Sequence, residues 1–257
     1  MMIRAAFFDM DGTVYSHESK SVPESTMNAL KELKNRGIKI FLATGRHFAE
    51  IDEFPISKIS FDGYVMLNGQ ICTDANRKLT FGNPIEGTDA EYLLNAFVNK
   101  EIPIMLLEEG RLYVNMINEV VINGQVAISS GLPEVKEYMG APVYQIICYG
   151  GKELEQELAP KLPNCKITRW SPYGIDIISK TGGKVTGISK LLKYHGWKAD
   201  DIIAFGDWEN DIEMLQFAGI GVAMGNAKEE VKVIADYVTT DIEEDGIWNA
   251  CKHFGLI

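Results

Sequence analysis

The chain has 257 residues, 46% of them apolar and 24% charged, the balance of a globular protein long enough to bury one large core or two smaller ones. A formal net charge of −11 and a pI near 4.9 argue against a nucleic-acid partner, which needs a basic face to meet the phosphate backbone. No apolar run approaches the roughly 18 residues of a membrane span, and the first run meets Asp9 too early to hold a signal-peptide core, so no membrane partner is expected and the cytoplasm is the expected compartment.

Residues 3–8 are a short apolar run that stops at Asp9-Met10-Asp11-Gly12, the pattern of a buried strand feeding a polar loop. Pro23 and Glu24, then apolar Met27, Leu30 and Leu33, then Gly37 outline an amphipathic helix with Pro near its start and Gly at its end. A second apolar run, 38–43, stops at Thr44-Gly45-Arg46. Strand, helix and strand of these lengths form a βαβ unit, so the sheet is expected to be parallel. From about Asn83 to Gly183 the texture changes. Alternating segments at 111–115 and 143–147, with helix-like stretches at 90–100 and 152–158, predict an inserted α+β domain built on an antiparallel sheet. The parallel pattern then returns, with a helix over 185–194, a strand over 201–205 that stops at Gly206-Asp207, a helix over Ile212–Phe217, an apolar run at 219–224 and a last short strand at 237–241. The expected domains are a core of residues 1–82 and 184–257 and an insert of residues 83–183.

The polar residues of interest fall where core strands end, which is where open α/β sheets bind ligands. Asp9, Asp11 and Asp207 follow strands directly, and Asp211 comes four residues after Asp207. A single Asp-Gly after a strand is an ordinary turn, but several acids converging at corresponding strand ends repel one another unless a cation sits among them. Oxygen ligands without a neighbouring His or Cys favour Mg²⁺. Cys72, Cys148, Cys165 and Cys251 form no C-x-x-C pair and do not cluster with His, so buried free thiols are expected rather than disulfides or zinc. His17, His47, His195 and His253 are scattered and read as surface or packing residues. There is no G-x-S-x-G and no H-E-x-x-H, which leaves a carboxylate as the nucleophile, able to take a phosphoryl group when a metal draws charge from phosphorus. Thr44 and Gly45 offer a hydroxyl and an approachable backbone N–H to phosphate oxygens, and Lys184, after Gly182-Gly183, offers a cation.

These residues resemble the motifs of the haloacid dehalogenase superfamily. Asp9-Met10-Asp11-Gly12-Thr13 is similar to its D-x-D-G-T signature, and Thr44-Gly45-Arg46, Lys184 and Gly206-Asp207-Trp208-Glu209-Asn210-Asp211 resemble its other three motifs in the right order. The insert, Asn68-Gly69, the run 222–227 and Glu244-Asp245-Gly246-Ile247 resemble the Cof subfamily with its C2-type cap. The resemblance implies a Rossmann-like parallel sheet with helices on both faces and a cap that closes over the site. It implies an Mg²⁺-dependent phosphatase acting on a small phosphorylated metabolite, such as a sugar phosphate, through an aspartyl phosphate. Asp9 would be nucleophile and metal ligand, Asp11 the acid–base with its carbonyl on the metal, and Asp207 the third ligand. Thr44, Gly45, Arg46, Lys184 and Asn210 would hold phosphate, Asp211 would orient Lys184 or metal-bound water, and Thr13 would brace the first loop. Trp208 is bulky where many relatives carry a small residue, and is read as packing rather than as narrowing the entrance. Asp176 stands where relatives often have Glu.

To give a proton to a leaving oxygen, Asp11 must hold one, so its pKa is expected to be raised by burial or neighbouring charge. A phosphotransferase or mutase, or an inactive binding protein, would use the same scaffold. The intact set Asp9, Asp11, Lys184 and Asp207 argues against the binding protein, and the acceptor that decides the first is not written in the sequence. Glu109, Arg111, Tyr113, Arg169 and Tyr173 of the insert could face either a pocket or solvent.

Overall fold

In the computed structural model, residues 2–128 and 130–257 are described. The first stretch carries β1 (Ala5–Phe8), α1 (Glu24–Asn35), β2 (Lys39–Ala43), α2 (Phe48–Ile51), β3 (Gly63–Met66), β4 (Ile71–Asp74) and β5 (Leu79–Gly82). Next come α3 (Gly87–Val98), β6 (Ile104–Leu107), β7 (Leu112–Val114), α4 (Glu119–Ala127), β8 (Gln145–Tyr149), α5 (Lys152–Leu158), β9 (Cys165–Ser171) and β10 (Gly174–Ser179). The chain ends with α6 (Lys184–His195), β11 (Ile202–Gly206), α7 (Ile212–Phe217), β12 (Ile220–Ala223), α8 (Glu229–Ile234), β13 (Tyr237–Val238) and α9 (Gly246–His253). These elements divide into two compact units, one of Met1–Arg46, Ile51–Phe81 and Gly183–Ile257, the other of His47–Glu50 and Gly82–Gly182.

The first unit is built on a sheet of order β13-β12-β11-β1-β2-β3-β4-β5. Every pairing from β13 to β3 is parallel, as the βαβ pattern requires. β1 lies between β11 and β2, with Phe8 level with Phe205 and Leu42. The chain therefore leaves all three strands at one edge, where Asp9, Asp207 and Thr44 stand. Alternation along β1 sends Ala5 and Phe7 to one face, where they join Phe41, Ile188, Leu191, Leu192, Met214 and Val231 from β2 and α6 to α8. Phe7 stacks on Phe41 at 4.8 Å, and Phe8 stacks on Phe205 at 4.8 Å. Helices cover both faces, and α1 and α9 pack against each other. In α1 the buried stripe is Thr26, Ala29, Leu30 and Leu33, an i, i+3, i+4, i+7 pattern. Met27, expected on it, is 40% exposed.

Two features depart from the expected pattern. β3 and β4 form an antiparallel hairpin, and β13 stops after two residues instead of continuing to 241. The Thr239 and Thr240 hydroxyls donate to the Gly246 and Glu244 carbonyls at 2.7 and 2.6 Å, turning the chain there. The second unit is an antiparallel sheet of order β7-β6-β8-β10-β9 over a core that includes Leu93, Phe97, Leu106, Tyr113, Ile146 and Ile177. Its β8 begins at Gln145, two residues later than the alternation suggests. None of the four cysteines is disulfide-bonded, and among the described residues no helix is long and apolar enough to cross a membrane.

The β3–β4 turn also seats α6. Gly69 has φ +85°, and a Cβ there would stand 2.0 Å from the Gly183 carbonyl oxygen. A Cβ on Gly187 would meet Val65 at 2.7 Å and the Gly69 Cα at 3.1 Å. The missing side chains let the first turns of α6 approach the hairpin. Gly37 has a similar φ of +80° with nothing within 4 Å of its Cβ position. Gly37→Ala is expected to cost about 1 kcal/mol, the left-handed strain alone, and Gly69→Ala about 1–3 kcal/mol more, from overlap with backbone. Denaturant unfolding of the two variants checks the difference.

Candidate active site

Lys184 opens α6 and is buried; its Nζ donates to Asp9 Oδ1 at 2.5 Å and to Asp211 Oδ1 at 2.6 Å. Asp211 closes the single 3₁₀ turn Glu209–Asp211 after β11. Its other oxygen accepts the N–H groups of Asp207 and Trp208 at 3.0 and 3.1 Å. The Thr13 hydroxyl donates to Asp207 Oδ1 at 3.2 Å. One carboxylate oxygen each from Asp9, Asp207 and Asp211 lies within 4.8 Å of the others. Residues far apart in sequence thus meet because β1, β11 and α6 end or begin at the same sheet edge.

The charges do not balance. Burial, together with the Asp211 carboxylate, pushes Asp9 well above the usual carboxylate range against the pull of Lys184. Burial and the same neighbour push Asp207 up to about 7. Burial works to lower Lys184, but Asp211 and Asp9 outweigh it and hold the ammonium charged. With all three ionised, three carboxylates facing one ammonium would leave two negative charges uncompensated. An all-oxygen donor set with this deficit fits a hard divalent cation. Both oxygens of Asp211 are already engaged, so Asp9 and Asp207 are the side chains able to turn oxygens to such an ion.

Asp11 is held quite differently from the expectation of a raised pKa. Arg46 grips it with two prongs, Nε to Oδ2 and Nη2 to Oδ1, both 2.8 Å, and His17 Nε2 lies 2.8 Å from Oδ1. Burial works to raise this carboxyl, but the His17 hydrogen bond and the Arg46 guanidinium bring it down to about 2. In this arrangement Asp11 is ionised, and the Arg46 guanidinium, which the motif suggests for phosphate, lies on Asp11 and 4.6 Å over the Phe54 ring. His17, read from sequence as a surface or packing residue, touches a site carboxylate. A histidine six residues past an Asp-Gly loop carries no signal that would have marked it.

Thr44 is buried, and its hydroxyl accepts the Arg46 N–H at 3.1 Å, which keeps its own O–H for donation. Asn210 Nδ2 donates to Asn68 Oδ1 at 3.2 Å. Trp208 does not pack inside: it is 46% exposed, with the Lys228 ammonium 3.7 Å over its ring. In the second unit, Asp176 lies in β10. Tyr113 is fully buried and donates to Glu108 at 2.5 Å, a contact that sequence reading did not find. Arg111 donates to the same carboxylate at 2.5 Å. Arg169 ties Glu155 to the carbonyls of Gly150, Gly151 and Ser171. Tyr113 and Arg169 are thus engaged inside their own unit. The Glu109 carbonyl lies 3.1 Å from His47 Nε2, and Tyr173 is 38% exposed.

Comparison with known proteins agrees with this architecture. Residues 6–251 match the family model of the haloacid dehalogenase-like hydrolases. The chain belongs to that family. The Bacillus subtilis (strain 168) protein YkrA is 32% identical over 254 residues, which cover 98% of this chain and 97% of YkrA. Among solved structures, BT1666 of Bacteroides thetaiotaomicron, described among phosphatases of the superfamily, is 34% identical with a TM-score of 0.87, over 100% of this chain and 96% of that one. The subclass IIB sugar phosphatase BT4131 is 36% identical with a TM-score of 0.88, over 99% of this chain and 100% of that one.

Replacing the buried cation tests the electrostatics. Lys184→Met strands Asp9 and Asp211 without a countercharge and is expected to lower stability by about 3–5 kcal/mol. Adding Asp211→Asn to that variant is expected to recover part of the loss. Denaturant unfolding of the single and double variants, without divalent cation, measures both.

Proposed function

We propose that this chain is a phosphatase that hydrolyses phosphate monoesters of small metabolites in the cytoplasm, with Asp9 as the nucleophile. The observation that carries this reading is the Lys184 bridge between Asp9 and Asp211 beside Asp207. It fixes one carboxylate oxygen of Asp9 and leaves the other to attack phosphorus. Lys184 then offsets the charge that accumulates on the transferred group. Thr44, with its O–H, and the Gly45 N–H receive phosphate oxygens, and Asn210 borders the same place. Asp211 holds Lys184 in line. Mg²⁺ held by Asp9, Asp207 and the Asp11 carbonyl would supply the Lewis-acid charge that makes phosphorus accept a carboxylate. A sugar phosphate is the proposed substrate class, supported by the likeness to a sugar phosphatase. The inserted unit is assigned the choice of leaving group.

The proton is the part that the resting geometry constrains. Attack by Asp9 forms an aspartyl phosphate and expels an alkoxide that needs a proton. Water then attacks the phosphoryl group and must lose one. Asp11 can serve both steps only after its carboxyl leaves Arg46 and His17, because within that clamp it stays ionised. Proton transfer thus requires the clamp to open when substrate is in place.

A phosphate-release screen over phosphorylated metabolites with Mg²⁺ is expected to find turnover that Asp9→Asn abolishes; equal release by that variant would reject Asp9. Asp11→Asn is expected to lose turnover severely while keeping its fold and its response to Mg²⁺. Undiminished turnover would remove Asp11 from the proton steps.

The raised Asp207 pKa has a signed consequence. The folded chain binds this proton more tightly than the unfolded one, so without divalent cation stability falls as pH rises from about 4 towards 7. Asp11 acts in the opposite sense, but only at lower pH, since both its states are ionised above about 5. The melting temperature in chelator is therefore expected to drop between about pH 5 and about pH 8. Mg²⁺ is expected to raise it more at the higher pH, because the cation takes the place of the proton.

A further inference from the structure

The turn between β3 and β4 carries more strain than a hairpin needs. Two residues at positive φ suffice to join antiparallel strands, yet Leu67, Asn68 and Gly69 all have positive φ, at 51°, 52° and 85°. A leucine gains nothing from that region, and such strain persists only where the surroundings impose it. The Asn68 N–H donates to the Thr44 carbonyl at 3.1 Å, which ties the turn to the loop after β2. Gly69 is pressed against the start of α6.

What this turn delivers is the Asn68 carboxamide. Its Oδ1 accepts from Asn210 Nδ2 at 3.2 Å. Its Nδ2 and Oδ1 lie 3.1 and 3.2 Å from where a Cβ on Gly45 would stand. One side chain therefore touches both Gly45 and Asn210, which follow different strands and are both assigned to phosphate oxygens.

We propose that Asn68 is a positioning residue of the phosphate site: its carboxamide holds that of Asn210 in place and lies flat on Gly45, fixing the two groups relative to each other. This rests on the proposed phosphatase reading. It also gives Gly45 a second reason to lack a side chain, since the space is filled by Asn68.

The competing explanation is that Asn68 is there only because asparagine tolerates positive φ. Glycine tolerates it better, so Asn68→Gly separates the two. This variant is expected to melt at or above the wild-type temperature, to bind inorganic phosphate with Mg²⁺ roughly 10-fold more weakly or worse, and to raise KM more than it lowers kcat. Asn68→Asp keeps the shape but places a negative charge beside the anion, and is expected to bind more weakly still. Because Asn68 acts partly through Asn210, combining Asn68→Gly with Asn210→Ala is expected to lose less than the sum of the two single losses. Wild-type phosphate affinity in Asn68→Gly, or fully additive losses, would overturn the proposal. Equilibrium titration with inorganic phosphate needs no turnover. A wild-type chain that binds phosphate but hydrolyses no ester would count against the proposed function while the variants still decide this point. A wild-type chain that binds no phosphate overturns both.

Discussion

One buried ammonium organises the site. Lys184 reaches Asp9 and Asp211 at 2.5 and 2.6 Å, and this contact sets demands on the elements around it. A buried charge without a partner is costly enough to neutralise itself or unfold its surroundings. α6 must therefore lie close enough to deliver Nζ to the strand ends, which explains the tight seating of Gly69 and Gly187 near its first turns. Asp211 must be oriented to receive it, and the N–H groups of Asp207 and Trp208 hold its second oxygen. What remains after these contacts is a deficit of positive charge shared by Asp9 and Asp207, and the proposed chemistry grows from that deficit.

The first loop shows how position, not residue type, sets the behaviour of a carboxylate. Asp9 and Asp11 are two residues apart. Burial and neighbouring acids push Asp9 up, while His17 and Arg46 bring Asp11 down against burial. The pair is thus divided into a carboxyl pushed up by burial and neighbouring acids and a carboxylate ion-paired with Arg46. In the proposed phosphoryl transfer, Asp11 would act as proton carrier only after Arg46 and His17 release its carboxyl.

Much of this was legible in the sequence because parallel strands report their own ends. An apolar run stopped by Asp9, by Thr44 or by Asp207 marks a strand terminus, and parallel pairing brings those termini to one edge. Lys184 was placed by resemblance and by the glycines before it. The clamp on Asp11 was not legible, since nothing in the spacing of Arg46 or His17 announces a contact through the fold. The β3–β4 hairpin is not legible although Asn68-Gly69 is a hairpin signal, because a run as short as 63–66 does not reveal its direction. α4 is illegible for another reason: Val120, Val121, Ile122 and Val126 surround the helix without forming a stripe. The short β13 depended on threonine hydroxyls bonding forward to carbonyls, which a β-rich composition conceals.

The proposed chemistry places the transferred phosphoryl group on Asp9. Acid quenching during turnover of a phosphate ester with Mg²⁺, followed by peptide mass spectrometry, tests it most directly. One phosphoryl group is expected on the peptide that contains Asp9, removed by mild base as an acyl phosphate would be. A phosphoryl group on any other residue, or phosphate release from Asp9→Asn at the wild-type rate, would contradict it.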